Sequence, residues 1–189
     1  MKTEMITPRF VTIKLTQERE DPDYGSCLWA RFTLDLDRYS MQIMSDCGNY
    51  AYARCPTPDV ESFLHLVSRM DGEYLLGKIS KQSVVNTDAT YKAVMDYLEE
   101  LKENEEIDEE DLPDSDSILS ACTEWTERDC FESLKSELDS SSFWKKYDDE
   151  SLAYCIETDY PCGARKIREL FEKYIRPLAR KMDREANEE

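Results

Sequence analysis

The chain has 189 residues, 40% hydrophobic and 35% charged, with a formal net charge of -18. That much apolar material suffices for one substantial core or two small units, so wholesale disorder is not expected. No apolar run of about 18 residues is present to make a transmembrane helix, and the sign of the charge is opposite to the basic footprint of a nucleic-acid-binding domain.

The N-terminal "MKTEMITPRFVTIKL" lacks the apolar core of a signal peptide, so a cytoplasmic location is expected. Strand periodicity follows at once. In "RFVTIKLTQ", Val11, Ile13 and Leu15 alternate with polar residues. In "CLWARFTLDLD", Leu28, Ala30, Phe32, Leu34 and Leu36 fall on one face, and Trp29, Arg31, Thr33 and Asp35 on the other. "YSMQIMS" and "NYAYAR" read as a third and fourth strand, joined by a turn in which Gly48 and Asn49 are free to take positive φ. The pattern predicts an antiparallel meander of about four strands.

Helical signals begin at Thr57-Pro58-Asp59, a cap, a first-turn proline and an acid suited to the helix dipole. Phe63, Leu64, Val67 and Met70 continue that helix, and Asp71-Gly72 stops it. "EYLLGKIS" predicts a shorter helix or turn. A further helix starts near Asn86 or Thr87, with Tyr91, Val94, Met95, Leu98 and Leu101 on its apolar side.

That helix runs into an acidic block. Residues 99–150 carry 20 acids and five bases, and nine carboxylates fall within residues 103–116. Glu105, Glu106, Asp108, Glu109, Glu110, Asp111, Asp114 and Asp116 are the candidate partner-binding residues. If the helix continued through Glu110 to Pro113, Glu105, Glu106, Glu109 and Glu110 would form a ridge of charge. The same run also reads as a solvated linker.

After Pro113, Ile118, Leu119, Trp125, Cys130, Phe131, Leu134 and Leu138 give a looser helical pattern, and "SLAYCIE" fits a strand or a short helix. The last segment is clearer. Ile167, Leu170, Phe171, Tyr174, Ile175, Leu178 and Met182 form one apolar stripe, with Lys166, Lys173, Arg176, Arg180 and Arg184 opposite; Pro177 should kink or divide the helix. Three roles fit Lys173, Arg176, Arg180 and Arg184: a solvated face, docking on the acidic block, or contact with nucleic acid. The fold class is therefore α+β, an N-terminal antiparallel sheet packed with helices and followed by a helical C-terminal half. The expected divisions are 1–102 (α+β), 103–116 (acidic linker or helix extension) and 117–189 (mostly helical).

Enzyme signatures are scarce. There are five glycines, none in a phosphate-binding or dinucleotide fingerprint, and neither GxSxG nor HExxH occurs. The single histidine, His65, lies within a predicted helix and reads as a packing or surface residue. "DPDYGS" reads as a polar turn before the second strand, since it lacks the full spacing of a calcium loop. Seven cysteines without a CxxC pair predict reduced thiols, with no metal and no cofactor. Trp29, Tyr50 and Tyr52, with Arg31 and Arg54, are candidates either for sheet packing or for base stacking.

Residues 39–80 contain the hairpin-to-helix segment "SDCGNYAYARCPTP" and the helix pair "FLHLVSRMDGEYLL". These resemble the N-terminal half of small prophage-encoded type II-A anti-CRISPR proteins, inhibitors of the RNA-guided DNA nuclease. The resemblance covers about a quarter of the chain. It implies a non-enzymatic inhibitor in a bacterial host cell. Its partner would be a CRISPR effector nuclease, guide-RNA-loaded or not, blocked in DNA recognition or cleavage. It carries over no active-site residue. Such nucleases hold nucleic acid in a positively charged channel, which an acidic decoy of DNA could occupy. The alternatives are a phage accessory or regulatory binding module without DNA mimicry and a weak nucleic-acid-binding protein. Direct DNA binding is the lesser expectation, and the oligomeric state is left open.

Overall fold

The computed structural model describes residues 9–56, 62–104, 107, 112–139 and 149–188. It is an α+β protein whose contacts divide the chain into two compact units, Met1–Lys81 with Cys162–Glu189, and Gln82–Pro161. This division differs from the expected 1–102, 103–116 and 117–189. The reason is packing: the C-terminal stripe returns to the N-terminal sheet, whereas the helix beginning at Thr87 builds a separate core.

The first unit holds four strands, β1 (Phe10–Thr16), β2 (Trp29–Asp35), β3 (Ser40–Ser45) and β4 (Gly48–Ala53), in the order β1-β2-β3-β4 with every pair antiparallel. The expected alternation is borne out in β2, where Ala30, Phe32 and Leu34 are fully buried. Leu28 is a correction: it precedes the strand and is exposed. Gly48, at φ 116°, opens β4 directly after the turn, in a region closed to most side chains, and Asn49 follows it in the strand without positive φ.

Helices α1 (Phe63–Arg69) and α2 (Gly72–Ile79) follow. The expected cap at Thr57-Pro58-Asp59 lies outside the described residues. Ser62 caps α1 instead, its hydroxyl accepting from the His65 N–H at 2.9 Å. Asp71 does not simply stop α1; its carboxylate caps α2, accepting from the Tyr74 N–H at 2.6 Å. The ring of Phe63 stacks on Tyr52 at a centroid distance of 6.5 Å.

The chain comes back to this core as α7 (Cys162–Leu170), a π-helical turn (Phe171–Ile175) and α8 (Arg176–Glu188). The wide turn answers Pro177. Proline has no N–H to give the carbonyl four residues back, and the turn just before it spreads to an Arg176 N–H bond to the Phe171 carbonyl. The extra residue per turn rotates the stripe. Phe171, Ile175 and Ala179 are fully buried, whereas Tyr174 and Leu178, expected in the stripe, are 39% and 41% exposed.

The second unit begins and ends in a two-stranded ribbon, β5 (Val84–Val85) against β6 (Thr158–Asp159). Beside it Thr90 Oγ1 donates to the Glu157 carbonyl at 3.2 Å and accepts from its N–H at 3.0 Å. Between lie α3 (Thr87–Glu103), α4 (Ser115–Cys122), α5 (Glu127–Asp139) and α6 (Asp149–Ala153). "SLAYCIE" is thus the end of a short helix and the approach to β6. The core joins Val94, Leu98 and Leu101 of α3 to Ile118, Cys122, Cys130, Leu134, Leu138 and Leu152. Trp125, expected among these, is 69% exposed between α4 and α5. No described helix is long and apolar enough to cross a membrane.

Each unit has its own core, so each should report its own damage. Phe32→Ala is expected to cost about 3–5 kcal/mol and Leu134→Ala about 2–5 kcal/mol. Hydrogen exchange should show the loss of protection concentrated in β1–β4 for the first variant and in α3–α5 for the second.

Candidate protein-binding surface

The two units differ in charge more than in size. Gln82–Pro161 holds 24 acids and six bases, net -18, whereas the 18 acids and 18 bases of the other unit cancel. The whole net charge of the protein therefore belongs to the helical unit.

Glu105, Glu106, Asp108, Glu109, Glu110 and Asp111 lie outside the described residues. Their flanks are fixed, however. Helix α3 does not continue through Glu110: it ends at Glu103, where the Asn104 N–H closes onto the carbonyls of Glu100 and Lys102. The expected unbroken continuation of α3 is corrected at Asn104, which leaves helical geometry; the ridge expected over Glu105–Glu110 lies outside the described residues. Ile107 is buried in the second core and Leu112 packs against it. Asp114 and Asp116 are exposed at the start of α4; Asp114 holds the cap position without a side-chain cap bond.

An acidic ridge does exist, about two turns earlier in the chain than expected. Asp96, Glu99, Glu100 and Glu103 are all exposed and stand at i, i+3, i+4 and i+7 on α3. Among the described residues none of the four has an ion-pair partner. Three of them occupy the C-terminal end of the helix, where the dipole disfavours negative charge. Their signal was legible in the sequence as the polar face of the 87–103 pattern. On α5 and its approach Glu124, Glu127, Asp129, Glu132 and Glu137 are exposed as well.

The basic residues of the last helix do not form one open face. Arg180 Nε donates to the Ser68 carbonyl at 2.9 Å, tying α8 to α1. Arg176 pairs with Glu172 at 3.7 Å, and the Lys173 ammonium lies 5.0 Å from the Tyr174 ring centre. Arg184 is exposed. Lys166 pairs with Asp23 at 2.6 Å and Glu169 at 3.2 Å, and the Asp23 partner holds the lysine above its ordinary pKa. The acids these cations meet belong to the first unit itself.

The aromatic candidates are separated by the pleat. Tyr52 is buried, and Tyr50 turns its hydroxyl to the Cys47 carbonyl at 3.0 Å. Trp29 stands on the open sheet face with Arg31. "DPDYGS" is a polar turn, held by Gln17, whose amide accepts from the Gly25 N–H and donates to the Asp23 carbonyl.

His65 has a partner that the sequence did not reveal. Its Nδ1 lies 3.0 Å from Asp183 Oδ2, and Ser62 Oγ donates to the other carboxylate oxygen at 3.1 Å. A hydroxyl activated as a nucleophile would bond the imidazole. Here it is committed to the carboxylate and to the helix cap, so the three residues fasten α8 to the start of α1.

Like charges at i, i+4 cost a helix about 0.2–0.5 kcal/mol per pair. Asp96→Asn, Glu99→Gln, Glu100→Gln and Glu103→Gln made together should therefore raise the stability of the second unit, by up to about 1 kcal/mol in urea unfolding at low salt. A loss of stability would show that the ridge contributes to the fold.

The chain matches the family model of a phage protein family, Phage_phiTE_072, over residues 3–181. No curated protein and no solved structure matches it. With nearly its whole length inside the match, the chain belongs to this phage family.

Proposed function

We propose that this phage-family protein is a binding protein, not an enzyme, and that it sets carboxylates against a basic surface of a nucleic-acid-processing protein. The target under this reading is a CRISPR effector nuclease, hindered in DNA recognition or cleavage. The observation that carries it is the ridge of Asp96, Glu99, Glu100 and Glu103. These charges sit on a helix whose opposite face is core, so the scaffold is ordered before it binds. Ordering a loose acidic loop on binding would cost ~1–2 kcal/mol of backbone entropy per residue. Eight further carboxylates follow this ridge in the sequence, between residues 105 and 116. Arginines that hold nucleic-acid phosphates accept carboxylates in the same bidentate way. The concentration of charge in one unit also steers association and makes it sensitive to salt.

The open sheet face supports a second reading, in which an anionic single strand lies on the neutral unit. Lys14 and Arg31 are directly opposite on β1 and β2, an arrangement that costs stability unless an anion lies between them. Trp29 stands next to Arg31 on that face, as a stacking platform would.

For the first reading, the full chain is titrated against a panel of effector nucleases, with and without guide RNA, at rising salt. Wild type should bind and lose affinity steeply with salt. The α3 ridge variant, and a second one with Glu105, Glu106, Asp108, Glu109, Glu110 and Asp111 made Gln or Asn, should each bind at least about tenfold more weakly, a cost of about 1.4 kcal/mol. Wild-type affinity in both variants would remove the acidic unit as the contact. Failure to bind any nuclease would remove the target. For the second reading, labelled single-stranded DNA and RNA should be retained by wild type and released by Trp29→Ala; no retention by wild type ends it.

A further inference from the structure

Two thiols and a carboxylate meet at one end of the sheet. Cys27 precedes β2, and Asp46 and Cys47 form the β3–β4 turn. One donor atom from each, the two Sγ and a carboxylate oxygen, lie within 4.8 Å of one another. We infer that Cys27, Asp46 and Cys47 form a binding site for a thiophilic divalent cation of the zinc class, with three protein donors and a fourth position open to solvent.

The donor set suits the ion. Zinc binds thiolate sulfur at about 2.3 Å and carboxylate oxygen at about 2.0–2.2 Å, which sets tetrahedral donors about 3.5–3.8 Å apart. Two sulfurs select against magnesium and calcium, which take oxygen ligands. The donors are also held. The Asp46 carboxylate accepts from the Leu28 N–H at 2.8 Å and from the Trp29 N–H at 3.4 Å. The Cys47 carbonyl is fixed by the Tyr50 hydroxyl. Gly163 passes so close that a Cβ there would lie 2.1 Å from that carbonyl oxygen, so no larger residue fits at this point of α7. Outer contacts of this kind are what orient metal ligands.

Without metal the same atoms form a thiol network. The Cys27 thiol lies 3.2 Å from Asp46 Oδ1, and the Cys47 thiol 3.2 Å from the Ser26 carbonyl. A cysteine thiol is ordinarily protonated at neutral pH. Binding then replaces two S–H bonds with two metal–sulfur bonds and releases two protons to solvent, with no change of oxidation state. Sequence spacing gave no warning of this and led to the expectation of unliganded thiols. Cys27 and Cys47 are twenty positions apart, and only the β2–β3–β4 meander brings them together. The site lies in the neutral unit and stands whether or not the acidic surface binds a nuclease.

The test is a titration of Co2+ alone into the reduced full-length chain, followed by Zn2+. About one Co2+ per chain should bind, with sulfur-to-cobalt charge-transfer absorption that Zn2+ abolishes, and with proton release in weak buffer. Cys27→Ser and Cys47→Ser should each remove most of that absorption, Asp46→Asn should weaken binding at least about tenfold, and Cys162→Ser should retain the absorption. Because Cys27 is buried and its variant could unfold, wild type is also alkylated with and without Zn2+. Peptide mapping should show Zn2+ protecting Cys27 and Cys47. Absence of charge-transfer absorption, equal absorption in Cys27→Ser/Cys47→Ser, loss with Cys162→Ser alone, or no protection by Zn2+ would each overturn the proposal.

Discussion

The structure depends on the return of one helical stripe. Ile167, Phe171, Ile175 and Ala179 form one core with the buried face of the β1–β4 sheet and with Phe63, Val67 and Leu75. The half-buried Val11, Ile13 and Leu15 of β1 pack against the same core. A four-stranded meander with one open face needs such a cover to be stable. Once the C-terminus supplies it, residues 82–161 become an excursion from one core, free to make another. The β5–β6 ribbon and the paired bonds of Thr90 with Glu157 bring the two ends of that excursion side by side. Domains are inserted into one another at such closely placed ends.

This arrangement sorts the charge. A neutral unit can pack three helical segments against a sheet without self-repulsion, and it meets its own cations with its own acids, as Lys166 does with Asp23 and Glu169. The inserted unit has only six bases for 24 acids and must leave most carboxylates to water or to a partner. Its buried apolar positions, from Val94 to Leu152, offset that repulsion. The net negative field of the protein thereby arises from one of its two folded units.

The π-helical turn shows how a local constraint reaches the site level. Pro177 forbids the regular bond, the turn widens, and the later residues rotate by the added position. Asp183 then falls on the line of Phe171, Ile175 and Ala179, four residues apart each time, and meets Ser62 and His65. Without the rotation, Leu178 and Met182 would hold that line.

The elements and most of their inner faces were legible in the amino-acid sequence. Alternation in Ala30, Phe32 and Leu34 marked a half-buried strand, Asn86 marked the start of α3, and the net charge marked an acidic protein. These are local properties, fixed by side-chain periodicity, capping chemistry and composition. Tertiary structure alone decided which elements share a core, since the 167–179 stripe looks the same whichever sheet or helix it covers. It also decided that the fixed ridge runs from Asp96 to Glu103, where the Asn104 N–H closes α3 onto the carbonyls of Glu100 and Lys102. The meeting of Cys27 with Cys47, and of His65 with Asp183, was likewise outside the reach of sequence. Residues so far apart in the chain are brought together only by strand register and helix docking, which are set by the collective packing of the whole unit.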